Sequence, residues 1–201
     1  MGERVVALFG EDYAHEACLK ALVERVAREA GVGVRIDPRS VRGGSGRMAS
    51  ELREYLRDIE KGRENLPDLL IVGRDANCQG VAERRRPLQQ TVDATGSLRS
   101  ITVFAIPDPH IERWLLLDSS AFKLVIGRGC AAPDMKCDRH RYKATLLQAF
   151  REAGIEPPFG GVEYAEDLVN AMDLSRAEQA DASLGAVIRD LRNRIKEWQR
   201  A

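Results

Sequence analysis

The sequence lacks several features that would narrow its function at once. No apolar run is long enough to span a bilayer, and the N-terminus has no secretory pattern, so we expect no membrane association. The 31 basic and 31 acidic residues balance, so net charge does not favour a nucleic-acid partner. The four cysteines show no disulfide framework, which is typical of a reduced, cytoplasmic protein.

The order of apolar segments predicts the fold class. Strand-like runs near residues 4–9, 32–36, 69–72 and 100–106 alternate with segments of helical periodicity. This alternation predicts an α/β protein, in which a parallel sheet carries helices on both faces. Most of the segments after residue 138 are predicted to be helical, ending in an amphipathic helix at about residues 184–199.

The stretch at residues 69–80, LLIVGRDANCQG, is the most informative part of the chain. Four apolar residues lead directly into a glycine, a charge pair and a polar turn, as at the carboxyl end of a buried parallel strand. Ligands of open α/β sheets bind beyond such ends, which makes Asp75 the first candidate site residue. The alternative is that Asp75 and Asn77 shape the turn and cap the next helix.

Acidic residues follow three of the predicted strands, namely Glu11, Asp75 and Glu112. The carboxyl ends of parallel strands meet at one edge of a sheet, so we expect these carboxylates to cluster. A divalent cation relieves the repulsion within such a cluster, and Mg²⁺ (or Mn²⁺) commonly bridges carboxylates to a phosphate. The predicted chemistry is phosphodiester cleavage with a metal-bound water as nucleophile.

Basic residues are concentrated at residues 39–47, 84–86 and 136–143. If these segments lie on one edge of the protein, they would form a phosphate-binding surface. The alternative is that they are solvated faces, as charge runs commonly are. The candidate nucleic-acid-binding residues are Arg42, Arg47, Arg74, Lys136 and Lys143. The glycine-rich loop at residues 42–47 lacks the lysine and spacing of a Walker A motif, but it motivates a further hypothesis, a nucleotide-binding phosphohydrolase.

Three segments resemble Toprim domains, in particular the nucleases of the OLD type and related phage-defence proteins. They are DANCQG at residues 75–80, GED at residues 10–12 followed by a helix, and IERWLLLD at residues 111–118. The resemblance covers about residues 4–118. It implies a Toprim-like (Rossmann-like) α/β core at residues 1–118 and a mostly helical C-terminal extension, residues 119–201, packed on that core.

The resemblance also implies roles for individual residues. Glu11 would be the metal-linked or general acid/base glutamate, Asp75 the first metal ligand and Glu112 an added ligand. These three form the predicted catalytic set, and together with Asn77 they form the predicted metal set. Lys136 or Lys143 would stabilise phosphate charge. The implied activity is Mg²⁺-dependent cleavage of DNA or RNA, with a role in anti-phage defence.

The sequence departs from the Toprim pattern at the strand end. Asn77 and Gln79 stand where the family carries aspartates, and Gly10 precedes Glu11 instead of following it. Two hypotheses follow from these departures, a nuclease that uses one metal and a non-catalytic module that binds a partner ATPase. Assembly into a homo-oligomer stays open as well.

Three histidines complete the inventory of candidate groups: His15, His110 and His140. His110 is the most interesting because it lies two residues before Glu112, although a turn histidine between prolines is more often incidental. Trp114 and the adjacent leucines are predicted to belong to the core.

Overall fold

The computed structural model describes residues 2–39, 45–131, 134–135, 137–138 and 140–200. Its centre is a sheet of four parallel strands in the order β2-β1-β3-β4. The strands are β1 (Arg4–Gly10), β2 (Val34–Pro38), β3 (Leu69–Gly73) and β4 (Thr102–Ala105). The predicted α/β class with a parallel sheet is therefore confirmed.

Helices cover both faces of the sheet and make up most of the C-terminal part. The α-helices are α1 (Tyr13–Glu29), α2 (Ser45–Glu60), α3 (Val81–Asp93), α4 (Glu112–Leu115), α5 (Ser119–Ile126), α6 (Arg141–Glu152), α7 (Ala165–Ala171), α8 (Leu174–Ala180) and α9 (Ala182–Arg200). Short 3₁₀ turns span Gly96–Ile101 and Val162–Tyr164. No described helix has both the length and the apolar character needed to cross a membrane.

The side chains of each strand divide between two hydrophobic clusters because successive strand residues point to opposite faces. In β1, Val6 and Leu8 pack in the larger cluster with α1 and the C-terminal helices. Ala7 and Phe9 pack in the smaller cluster with α2 and α3. The C-terminal helices thus share a core with the sheet, and Trp114 lies buried in it as predicted.

The register of the strands brings their carboxyl ends to one level. Gly10 pairs with Gly73, and Gly73 pairs with Ala105. The backbone continues this alignment past the strands, since the N–H of Glu11 donates to Gly73 O at 3.2 Å and the N–H of Arg74 to Ala105 O at 2.9 Å. The segments that follow β1, β3 and β4 therefore leave the sheet side by side.

Two short segments fold in ways that the apolar pattern of the sequence does not indicate. Residues 111–118 contain only the single turn α4, after which Asp118 caps α5 by accepting the N–H groups of Ser120 and Ala121. Helix α8 was not expected, and Asp173 caps it through the N–H groups of Ser175 and Arg176. In both places a local capping aspartate starts a helix too short to show apolar periodicity.

Candidate functional site at the carboxyl edge of the sheet

Asp75 is the centre of a cluster that joins three segments of the chain. Its Oδ2 lies 2.8 Å from Nδ1 of His110, and its Oδ1 accepts the backbone N–H of Ile111 at 2.9 Å. Nε2 of His15 lies 3.2 Å from the same Oδ1. The carboxylate therefore faces the ends of β1 and β4. The alternative role as a helix cap is wrong, because α3 starts after Gly80 without a side-chain cap.

His15 reaches Asp75 because α1 starts directly after β1. Asp12 caps α1 by accepting the N–H of His15 at 3.1 Å, and the same Oδ1 lies 2.8 Å from Nδ1 of that histidine. The buried imidazole of His15 thus lies between two carboxylates. Asp12, His15, Asp75 and His110 form one continuous chain of polar contacts, which we call the strand-end cluster.

The segment that carries His110 and Glu112 is held in place by the start of α9. Ser183 Oγ accepts the backbone N–H of Asp108 and the indole N–H of Trp114, each at 3.1 Å. Arg113 forms a buried ion pair with Asp181, the residue before α9. The turn after β4 is therefore fixed by a part of the chain about 70 residues later.

The charges of the cluster shift the pKa values of its central pair in opposite directions. Burial favours the neutral form of Asp75, but its contacts with His110 and His15 outweigh this and lower its pKa to about 2. Burial also opposes the charge on His15, yet Asp12 and Asp75 raise its pKa to about 10. Near neutral pH the cluster therefore contains an ionised Asp75 and a cationic His15.

The two groups beside this pair have raised pKa values for different reasons. The contact with Asp75 raises the pKa of His110 and outweighs the effect of its burial. Burial raises the pKa of the Glu112 carboxyl, and the negative charges of Asp75 and Asp12 add to the shift. Two carboxyl groups at neighbouring strand ends thus have pKa values displaced in opposite directions, a pattern that separates acid and base roles in enzymes.

Glu11 lies at the same edge but pairs with a different group. Its Oε2 lies 4.0 Å from Nε of Arg74, and both atoms are buried without a hydrogen-bond partner among the described residues. Burial and the neighbouring Arg84 lower the pKa of Arg74. Arg84 donates its Nε–H to the backbone oxygen of Asp75 at 3.0 Å. The strand-end cluster is thus flanked by two arginines.

The predicted metal set is not assembled as a preformed ligand shell. Within the described ranges, no three His, Cys, Asp or Glu side chains are arranged to hold a metal ion. Asp75 already contacts two histidines and a backbone N–H, and Glu11 faces Arg74. Asn77 adopts a left-handed conformation, with a φ of 46°, and its N–H donates to Pro109 O at 3.1 Å. These residues do not fit a resident Mg²⁺.

The predicted phosphate-binding residues are dispersed. Arg74 lies at the cluster, whereas Arg47 on α2 forms a pair with Glu51 at 3.0 Å along the same helix. Lys143 is exposed on α6. Arg42 and Lys136 lie outside the described residues.

The prediction that the cysteines form no disulfide is wrong for one pair. Cys78 and Cys137 are joined by a disulfide, with their Cα atoms 5.5 Å apart. Cys78 lies in the turn after Asp75, and the bond links this turn to the segment before α6. Cys18 and Cys130 are free, and burial raises the pKa of the Cys18 thiol to about 12. Because the two cysteines are 59 residues apart in the sequence, their spacing does not indicate the pairing.

Within the strand-end cluster, Asp12 was not singled out from the sequence, and His15 and His110 stood only as candidate histidines without partners. The available signal was a cap-and-histidine pattern, in which Asp12 precedes a helix and His15 follows three residues later on its apolar face. A buried histidine on such a face needs polar partners, which points back to the nearest strand-end carboxylate.

Gly73 allows α1 to approach the end of β3 closely. A Cβ at Gly73 would collide with Cδ1 of Leu19 and would lie 3.5 Å from Cδ2 of His15. Gly73→Ala should therefore lower the free energy of unfolding by about 1–3 kcal/mol, because the buried Leu19 side chain has to move.

Urea unfolding measures this effect. Gly33→Ala is the matched control, because a Cβ there would meet nothing within 4 Å. Equal stability of the two variants would contradict the close packing of Leu19 on Gly73.

No family model, curated protein or solved structure matches the chain. The similarity to Toprim domains therefore rests on the short segments described above.

Proposed function

We propose that the chain is a Toprim-like nuclease that hydrolyses phosphodiester bonds in DNA or RNA at the carboxyl edge of its sheet. The observation that carries the proposal is the 2.8 Å contact between Asp75 Oδ2 and Nδ1 of His110, which lies two residues before Glu112. The pKa of Asp75 is lowered and that of Glu112, beside the cluster, is raised, so this edge offers an ionised carboxylate and a carboxyl group with a basicity closer to neutral pH.

In the proposed reaction Glu112 accepts a proton from the attacking water, and the resulting hydroxide attacks phosphorus. The bond from phosphorus to the leaving oxygen then breaks, and the imidazolium of His110 donates a proton to that oxygen. The raised pKa values of both groups suit these roles. Asp75 is a positioning residue, because its carboxylate orients His110 through Nδ1 and favours the cationic ring.

The reaction also requires positive charge to stabilise the negative charge of the phosphate. Arg74 and Arg84 flank the cluster and supply positive charge near the attacked group. A bound Mg²⁺ would supply further charge and a more acidic water, as the Toprim resemblance implies. Because the described side chains do not form a site for it, we assign no step to the metal.

Cleavage of labelled single-stranded and duplex DNA and RNA oligonucleotides tests the proposal. Glu112→Gln should reduce kcat/KM by about a hundredfold or more, because the amide cannot accept the proton. Glu83→Gln is the matched control, since this exposed glutamate only pairs with Arg86 on α3. Each protein is assayed with Mg²⁺ and with a chelator, which measures the metal requirement directly.

A wild-type protein that leaves every oligonucleotide intact, both with and without Mg²⁺, would reject the nuclease assignment. Cleavage by Glu112→Gln at the wild-type rate would instead reject the role of Glu112 as the base. A cleavage rate that is the same with the chelator would instead remove only the Mg²⁺ prediction.

A second candidate is a non-catalytic module that binds a partner ATPase. It is favoured by Asn77 and Gln79, which carry no charge where the Toprim pattern has aspartates, and by the absence of a described three-residue metal group. This candidate predicts no cleavage by the purified chain and retention of an ATPase on the immobilised protein. The third hypothesis, a nucleotide-binding phosphohydrolase, relied on residues 42–47, of which the first three lie outside the described ranges.

A further inference from the structure

Two exposed aromatic rings lie together beside the strand-end cluster. In the described part of the chain, five large apolar side chains are exposed: Tyr13, Leu66, Leu124, Met135 and Phe159. The two aromatic members come from different elements, yet their ring centroids are 5.9 Å apart. Tyr13 is 52 % exposed and Phe159 is 65 % exposed, so each ring keeps much of its surface open to solvent.

The position of Tyr13 ties this pair to the proposed reaction site. Tyr13 is the first residue of α1 and directly follows Asp12. Asp12 contacts His15, which pairs with Asp75. Tyr13 is therefore the chain neighbour of a member of the cluster in which we place the hydrolysis, and its ring packs against Phe159.

The turn that presents Phe159 is held rigidly by its own hydrogen bonds. The Glu163 carboxylate accepts the N–H of Phe159 at 3.2 Å and the N–H of Gly161 at 3.0 Å. Gly161 has a φ of 96°, and a Cβ there would collide with the Phe150 ring, so the turn fits tightly on α6. The exposed Phe159 ring is thus presented by a turn that has its own hydrogen bonds and a close contact with α6.

A cation lies next to the same turn. A Cβ built on Gly160 would be 3.8 Å from Cε of Lys143, which places the exposed Lys143 side chain beside Phe159. The surface thus combines two accessible aromatic rings with a lysine. Proteins that bind single strands use this combination, in which bases stack on the rings and a positive charge tracks the backbone.

We infer that Tyr13 and Phe159, together with Lys143, form a stacking platform for an unpaired base, which makes single-stranded nucleic acid the substrate class of the site. This inference rests on the proposed function, because it uses the position of the cluster to choose the occupant. Duplex ends with unpaired overhangs would also bind, whereas the bases of a closed duplex would not reach the rings.

Fluorescence anisotropy with a labelled single-stranded DNA oligonucleotide at 4 °C measures binding to the platform, and a gel run after each titration checks that the oligonucleotide is still intact. Tyr13→Ala combined with Phe159→Ala should weaken binding about tenfold to a hundredfold. The double variant should bind an abasic oligonucleotide of equal length as the wild type does. Tyr13→Phe combined with Phe159→Tyr should restore binding, because the rings are retained.

Lys143→Ala has a different expected signature. It should weaken binding of the base-bearing and the abasic oligonucleotide alike. The slope of log affinity against log salt concentration should become smaller by about one, because one fewer counterion is released. Leu66→Ala is the matched control, since this exposed apolar residue precedes β3 and lies at the opposite edge of the sheet.

The outcomes separate the platform from the nuclease assignment. Equal affinity of the wild type and the double alanine variant overturns the platform, whether or not the wild type cleaves, and so does a wild type that binds no single strand. Binding that depends on both rings, combined with no cleavage of any oligonucleotide, supports the platform and rejects only the proposed function.

Discussion

Asp75→Asn should lower the free energy of unfolding by about 3–5 kcal/mol, because it leaves the buried cation of His15 with a single carboxylate partner. Cleavage should fall as well, since the amide no longer favours the cationic form of His110. Chemical denaturation at pH 5.5 measures the first effect, and kcat/KM measures the second. The NMR titration of His15 should move to lower pH in the variant.

The pH dependence of this effect follows from the two pKa values. The raised pKa of His15, about 10, gives a stabilisation that is complete below about pH 6.5 and is lost as the pH rises towards 10. The lowered pKa of Asp75, about 2, gives a stabilisation that is complete above about pH 4 and is lost as the pH falls towards 2. The difference between wild type and Asp75→Asn should therefore be largest between about pH 4 and 6.5.

Asp93→Asn is the matched control for this experiment. Asp93 pairs with Arg99 at 3.4 Å on the surface, and such pairs contribute about 0–1 kcal/mol. If Asp75→Asn and Asp93→Asn have equal effects at pH 5.5, the strand-end cluster does not stabilise the fold through its buried charges.

Cys78→Ser should lower the free energy of unfolding of the oxidised protein by about 4 kcal/mol. The disulfide to Cys137 closes a loop of 59 residues, and the loss of that constraint increases the entropy of the unfolded chain. Both cysteines are exposed, so a reductant can reach the bond in the folded protein. Urea unfolding under air, and again with dithiothreitol, measures the effect.

The same chain offers a control variant for this experiment. Cys130→Ser removes a free thiol and should change stability by less than about 1 kcal/mol. Under dithiothreitol the difference between wild type and Cys78→Ser should nearly disappear. If the oxidised wild type is no more stable than Cys78→Ser, or if it retains four titratable thiols, the disulfide is not part of the folded protein.

The sheet could be predicted from the sequence because its signals are local. The apolar run from Leu69 to Val72 and the periodicity of α1 each appear within one short window. The predicted strands also gave the positions of their carboxyl ends and therefore the location of Asp75, because parallel strands end at one edge of the sheet. The helical C-terminal part was also visible from its periodic segments, whereas α8 was too short to show a period.

The partners of Asp75 could not be predicted in the same way. Its contacts with His15 and His110 span 60 and 35 residues of chain, and they depend on how the carboxylate turns after β3. The left-handed conformations of Asn77 and Cys78 direct that turn towards the segment after β4. Asparagine adopts this conformation more readily than most residues, but cysteine does not, and asparagine also caps helices well, so a helix cap was an equally good interpretation.

The hydrogen bonds of Ser183 have a consequence for how the protein is made on the ribosome. The sheet and α1 are encoded in the first 105 residues and can pair as soon as β4 has emerged. The turn carrying His110 and Glu112 gains its contacts with Asp181 and Ser183 only when the start of α9 has also been translated. A nascent chain that ends at β4 therefore lacks both the C-terminal helices that pack on one face of its sheet and the contacts that fix the turn of the proposed site.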